Sequence, residues 1–123
     1  MLQRTIRLLL PLALFCMSAC QSLAEPKVTE KVLEGYYVFG VEVNTFQPCA
    51  SDKVYWVIAS DDVHKALEDQ YENITTKPYE EVFVQLVGDF KGKANDGFAM
   101  DYDGQFRVGK VVSIQNKADR SCN

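Results

Sequence analysis

A single histidine, His64, stands in a chain of 123 residues. One imidazole leaves a catalytic zinc centre short of its usual ligands. As a general base it would need a nucleophile or carboxylate within reach. His64 falls on a predicted helix beside its apolar stripe, where a rim position is the plainer reading. No Ser-His-Asp set, nucleophile elbow, phosphate-binding loop or dinucleotide fingerprint occurs, and no CxxC pair. Basic residues are also scarce, 13 against 17 acidic, which argues against nucleic acid, whose binders carry a basic face. The longest apolar run, Leu8 to Phe15, is too short for a permanent membrane span of about 20 residues. There are no repeats and no low-complexity tracts. Neither a metal nor a cofactor is expected.

What the chain does have begins at its start. Arg4 and Arg7 precede the apolar run, and Met17-Ser18-Ala19-Cys20 follows it, the pattern of an export signal. The last four residues resemble a bacterial lipobox, in which Cys20 is diacylated and becomes the new N-terminus, although Met17 stands where Leu is usual. The rival reading is ordinary cleavage after Ala24, within Ser22-Leu23-Ala24, which would discard Cys20 and leave a soluble periplasmic protein. Diacylation would give lasting anchorage, since stable attachment takes two chains. The expected organisation is a signal over 1–19, a tether over 20–32 and one domain over 33–123. All acidic residues follow Cys20 while Arg4 and Arg7 precede it, so the mature side-chain charge is −6.

Of four cysteines, Cys16 leaves with the signal and Cys20 is acylated or removed. Cys49 and Cys122 remain, in a compartment where disulfides persist, with one intramolecular pairing open to them. A redox or metal pair is the rival use, unsupported by any nearby His.

The mature part reads as mostly β. Gly35 to Phe46 alternates as one long strand, with Tyr37, Phe39, Val41 and Val43 on one face and Gly40 suggesting a bend or bulge. Lys53 to Ala59 is a second strand. Ser60-Asp61-Asp62 starts a helix to about Glu72, with Val63, Ala66, Leu67 and Tyr71 as its stripe. Glu81 to Phe90 is a third strand. Phe98 to Tyr102 and Phe106 to Val108 flank Asp103-Gly104 as a hairpin, the last strand continuing through Ile114. Asp101 and Asp103 match part of a calcium loop, but the closing Glu is missing and a turn is the better reading. Five strands and one helix predict a small OB-like barrel, although two strands rather than three precede the helix. The alternative is an antiparallel sheet with the helix packed on a face. Most aromatics are core, but an outward set, Tyr36 and Tyr55, is the candidate ligand surface, for small molecules or glycans stacking on the rings.

The pattern Gly35-Tyr36-Tyr37-x-Phe39-Gly40-x-Glu42, then Phe46-x-Pro48-Cys49 and Tyr55-Trp56-Val57, resembles the C-terminal OB-like domain of the envelope-stress lipoprotein NlpE and related small bacterial lipoproteins. The Leu67-x-x-x-Tyr71 helix and Val84-x-x-x-Gly88 strand extend it. The resemblance implies a β-barrel held by a disulfide, which suits Cys49 and Cys122. It carries over no copper site, because the CxxC-bearing N-terminal domain of that family has no counterpart here. Gln21 after Cys20, in place of the Asp that retains lipoproteins at the inner membrane, implies the outer membrane. The expectation is a non-catalytic, lipid-anchored envelope protein that binds another envelope protein or senses stress. A glycan or small-molecule binder is the alternative, and an enzyme using His64 the least supported reading.

Overall fold

The computed structural model describes residues 30–123, so the signal, Cys20 and most of the tether lie outside the described residues. Five strands and a helix follow in order: β1 (Val32–Gly40), β2 (Val43–Pro48), β3 (Tyr55–Ile58), α1 (Asp61–Ile74), β4 (Val82–Lys91) and β5 (Gly104–Asn116). The strands close into a barrel in the order β1-β2-β3-β5-β4. Every pairing is antiparallel except β3 with β5, which is parallel and completes the ring. The open sheet with a helix on one face is thereby set aside.

The stretch read as one strand from Gly35 to Phe46 is two. Val41 and Glu42 form a two-residue turn, Gly40 pairs with Val43, and Glu42 takes a φ of 61°. This hairpin lacks the Asn-Gly or Asp-Gly signature that positive φ favours, which hid it. The reversal puts three strands before α1, the order expected of an OB barrel. It also regroups the faces: Tyr37 opposes Phe46 and Phe39 opposes Asn44, so the odd positions of β1 and the even positions of β2 both point inward.

Gly40 is not the bulge. A Cβ there would lie 2.3 Å from Cε1 of Tyr79, whose ring covers the glycine. Tyr79 itself has a φ of 58°, and its hydroxyl donates to the Val41 carbonyl at 3.2 Å. The register shifts fall instead between β4 and β5, at Gln85/Leu86 and Val87/Gly88. Gly40→Ala should destabilise the fold by about 1 kcal/mol, the typical single-mutant effect, because the half-exposed ring can swing aside. The same substitution in a Tyr79→Ala background should cost much less, a non-additivity that urea denaturation of the four chains measures.

The Asp103-Gly104 hairpin is also corrected. Phe98–Asp101 is a short 3-10 helix, and Gly104 opens β5. Asp103 does not turn the chain back; its backbone N–H donates to the Val54 carbonyl at 3.0 Å and its carboxylate accepts from the Val54 N–H at 2.9 Å. Both bonds tie it to the approach to β3.

Helix α1 begins with Asp61 and Asp62, whose charges suit the positive end of the helix dipole. Leu67 and Tyr71 are buried and Val63 and Ile74 half-buried against the core, an i, i+4 stripe. Ala66, expected in that stripe, is exposed. The core inside the barrel includes Tyr37, Phe46, Val57, Leu67, Val84, Leu86 and Phe106, each without solvent exposure. Burying one such side chain is worth roughly 1.5–3 kcal/mol.

Candidate functional site

The outside of the barrel carries two aromatic regions of different character. The first lies over β1 and β4. Tyr36 and Phe83 meet edge-on with centroids 6.4 Å apart. The C-terminal residues cover them: Lys117 Nζ lies 4.6 Å from the Tyr36 centroid, and the Arg120 guanidinium 5.0 Å from that of Phe83. The Cys122 N–H donates to the Tyr36 hydroxyl at 2.9 Å. Arg120 also meets Glu34 at 3.3 Å, and Lys117 pairs with Glu81. The Cys49–Cys122 disulfide, with Cα atoms 5.5 Å apart, fastens this tail. Phe83 is fully buried yet belongs to no part of the core cluster inside the barrel. The tail is therefore a lid over a small second core.

The second region surrounds β3. Register places Tyr55 beside Phe46 and Gly104, on the inward side at the mouth of the barrel. Its ring packs on Phe90 at 4.7 Å, and Phe90 on Phe106 at 5.0 Å. Trp56 points the other way and packs on Tyr102 at 5.6 Å. Phe90, near the end of β4, and Tyr102, near the end of the β4–β5 connection, are thus both seated on β3. Between them the connection carries Phe98 and Met100. Phe90, Phe98 and Met100 remain 47%, 53% and 46% exposed. Phe98 and Met100 thus stand half in water on the connection itself, and Phe90 does so near the end of β4.

Tyr36 and Tyr55, expected together, thus lie on opposite sides of the sheet. Tyr36 is held by the tail and Tyr55 joins the mouth of the barrel. Trp56 and Tyr102 pack together outside the barrel, and Phe98 and Met100 are exposed on the connection that ends at Tyr102. The exposure of Phe98 and Met100 follows from the missing hairpin, which strand alternation could not reveal.

His64 lies on α1 with its side chain 28% exposed, at the end of a polar row that sequence reasoning missed. The Tyr37 hydroxyl donates to Asn44 Oδ1 at 2.8 Å, and Asn44 Nδ2 lies 3.5 Å from His64 Nδ1. Glu68 Oε1 is 3.7 Å from the same nitrogen. Burial, then the Glu68 charge, then Tyr71 push the Tyr37 phenol far above the ordinary tyrosine range. Its proton is therefore a permanent donor to Asn44. The missed signal was Asn44 itself, hidden once the hairpin was read as a single strand.

Among the described residues, no group of three or more His, Cys, Asp or Glu is placed to hold a metal ion. Asp101 and Asp103 do not converge on a cation site; Asp103 is engaged with Val54.

A family model described as the NlpE C-terminal OB domain matches residues 27–123. No curated protein and no solved structure matches the chain.

Proposed function

The chain belongs to the family of NlpE C-terminal OB domains, and from that membership we propose a non-catalytic, lipid-anchored module of the bacterial envelope that docks another envelope protein. The family is one of envelope lipoproteins related to envelope stress, and it is not a known enzyme family. The observation that carries the docking reading is the half-exposed pair Phe98 and Met100 on the connection that ends at Tyr102, whose ring packs on Trp56. Buried apolar and aromatic anchors of this kind supply most of the energy of a protein contact. Diacylated Cys20 would hold the module at the membrane, with the outer membrane as its site. Sensing of stress would follow from which partner occupies the surface.

A photo-crosslinking residue at position 98 tests this in intact cells, with position 65 on α1 as the control. A discrete adduct with one envelope protein is expected from position 98, none from 65, and Met100→Asp should weaken it about ten-fold, a typical anchor loss. No adduct from position 98, or the same adducts from both positions, would remove the docking reading. Intact mass of the mature chain separately decides acylation of Cys20 against cleavage after Ala24.

The Trp56–Tyr102 pair favours one second reading, a stacking platform for a glycan or small molecule. Trp56 is the chain's single tryptophan, so its fluorescence reports that surface directly. Titration with cell-wall fragments without any shift would discard it.

A further inference from the structure

We propose that the Asn44–His64 contact is an acid-sensitive clamp between α1 and the barrel, released when His64 takes up a proton. The geometry assigns each donor in turn. The Tyr37 O–H is committed to Asn44 Oδ1 at 2.8 Å, which turns the amide nitrogen of Asn44 toward His64. At 3.5 Å from that nitrogen, His64 Nδ1 is the acceptor, and its ring proton sits on Nε2. A neutral imidazole has one donor nitrogen and one acceptor; a protonated one has two donors.

Protonation therefore sets an N–H on Nδ1 against the N–H of Asn44. The contact between helix and barrel is lost, and Asn44 faces a positive charge. The acceptor at hand for the new proton is Glu68 Oε1, 3.7 Å away on the same helix. That is an i, i+4 pair, which supports the helix internally. Acid thus moves the imidazole from a partner on β2 to a partner on α1, loosening the docking of the helix without melting it.

The other charged groups around the site leave this exchange intact. On α1, Lys65 is occupied by Asp69 at 2.8 Å, and Asp61 and Asp62 are exposed at the helix start. From β1, Tyr37 is held neutral by its burial. On β5, which also packs against α1, Arg107 and Lys110 are exposed. Glu68 is the carboxylate found near the His64 ring among the described residues, and it becomes an ion-pair partner only when the ring is protonated.

Two measurements on the full chain test the clamp. In the first, amide hydrogen exchange of Leu67 and Tyr71 is followed by NMR from about pH 7.5 to about pH 5.5, corrected for intrinsic exchange. Protection should fall about five-fold in the natural chain, the loss of one hydrogen bond of typical net worth. In His64→Gln, whose side-chain carbonyl can accept from Asn44 at any pH, it should stay level. In the second, nitrogen shifts of the imidazole at the upper pH should place the proton on Nε2. The same acid response in both chains, or a proton on Nδ1 at the upper pH, would overturn the proposal.

Discussion

Replacing Cys122 with serine will lower the stability of the domain by about 4 kcal/mol, the value the chain-entropy model gives for a loop this long. The bridge joins residues 73 apart in sequence, so the reduced unfolded chain gains most of the freedom the bridge removes. The folded state loses as well. With the tail unfastened, Lys117 and Arg120 no longer hold their places over Tyr36 and Phe83, and the fully buried Phe83 is opened to water. In a domain this small the change amounts to a melting temperature lower by roughly 15–30 °C. Cys49→Ser should do the same, and the double substitution no more than either single, since both act on one bond. Scanning calorimetry with and without reductant measures all four chains. A loss below about 1 kcal/mol would mean that the tail holds by its side chains alone.

The parts of this structure legible in the sequence are those set by local chemistry. The acidic start at Asp61-Asp62 and the Val63/Leu67/Tyr71 spacing give α1, because a first-turn charge and an i, i+4 stripe are short-range; Ser60 holds the N-cap position without a side-chain cap bond. Alternation gives β3 and β4, and a barrel of five strands accounts for the aromatic count. What stayed hidden depends on contacts between distant residues. The β1–β2 turn uses Val41 and Glu42, neither of which announces a turn, and it is fixed from outside by Tyr79, with its hydroxyl on the Val41 carbonyl. Asp103-Gly104 carries a strong turn signal, yet two bonds to Val54, 49 residues earlier, make it the start of a strand. Each misreading moved a site residue. The first concealed Asn44 from Tyr37; the second hid the exposure of Phe98 and Met100. Tyr36 read as an outward aromatic, and it is one, but nothing local shows that the C-terminal residues fold over it.

Phe98 and Phe106 look equivalent along the chain, each an aromatic flanking Asp103-Gly104, and the fold separates them by energy. Phe106 is fully buried and pairs with Val57 where the parallel β3–β5 contact closes the ring. Its ring lies 4.8 Å from Phe46 and 5.0 Å from Phe90. Phe106→Ala removes both aromatic contacts and leaves a cavity at the closure, so a loss of about 3–5 kcal/mol is expected. Against a stability of roughly 0.05–0.15 kcal/mol per residue, that is a large part of the total, and the disulfide is what should keep the variant folded. Phe106→Leu, which fills much of the same volume, should cost about 1.5 kcal/mol or less. Phe98→Ala, at a position 53% exposed, should move stability by no more than about 0.5 kcal/mol, while weakening the proposed docking contact. Urea denaturation ranks the three. Equal losses at the two phenylalanines would contradict the arrangement in which one closes the barrel and the other faces outward, and with it the case that Phe98 is kept for a partner.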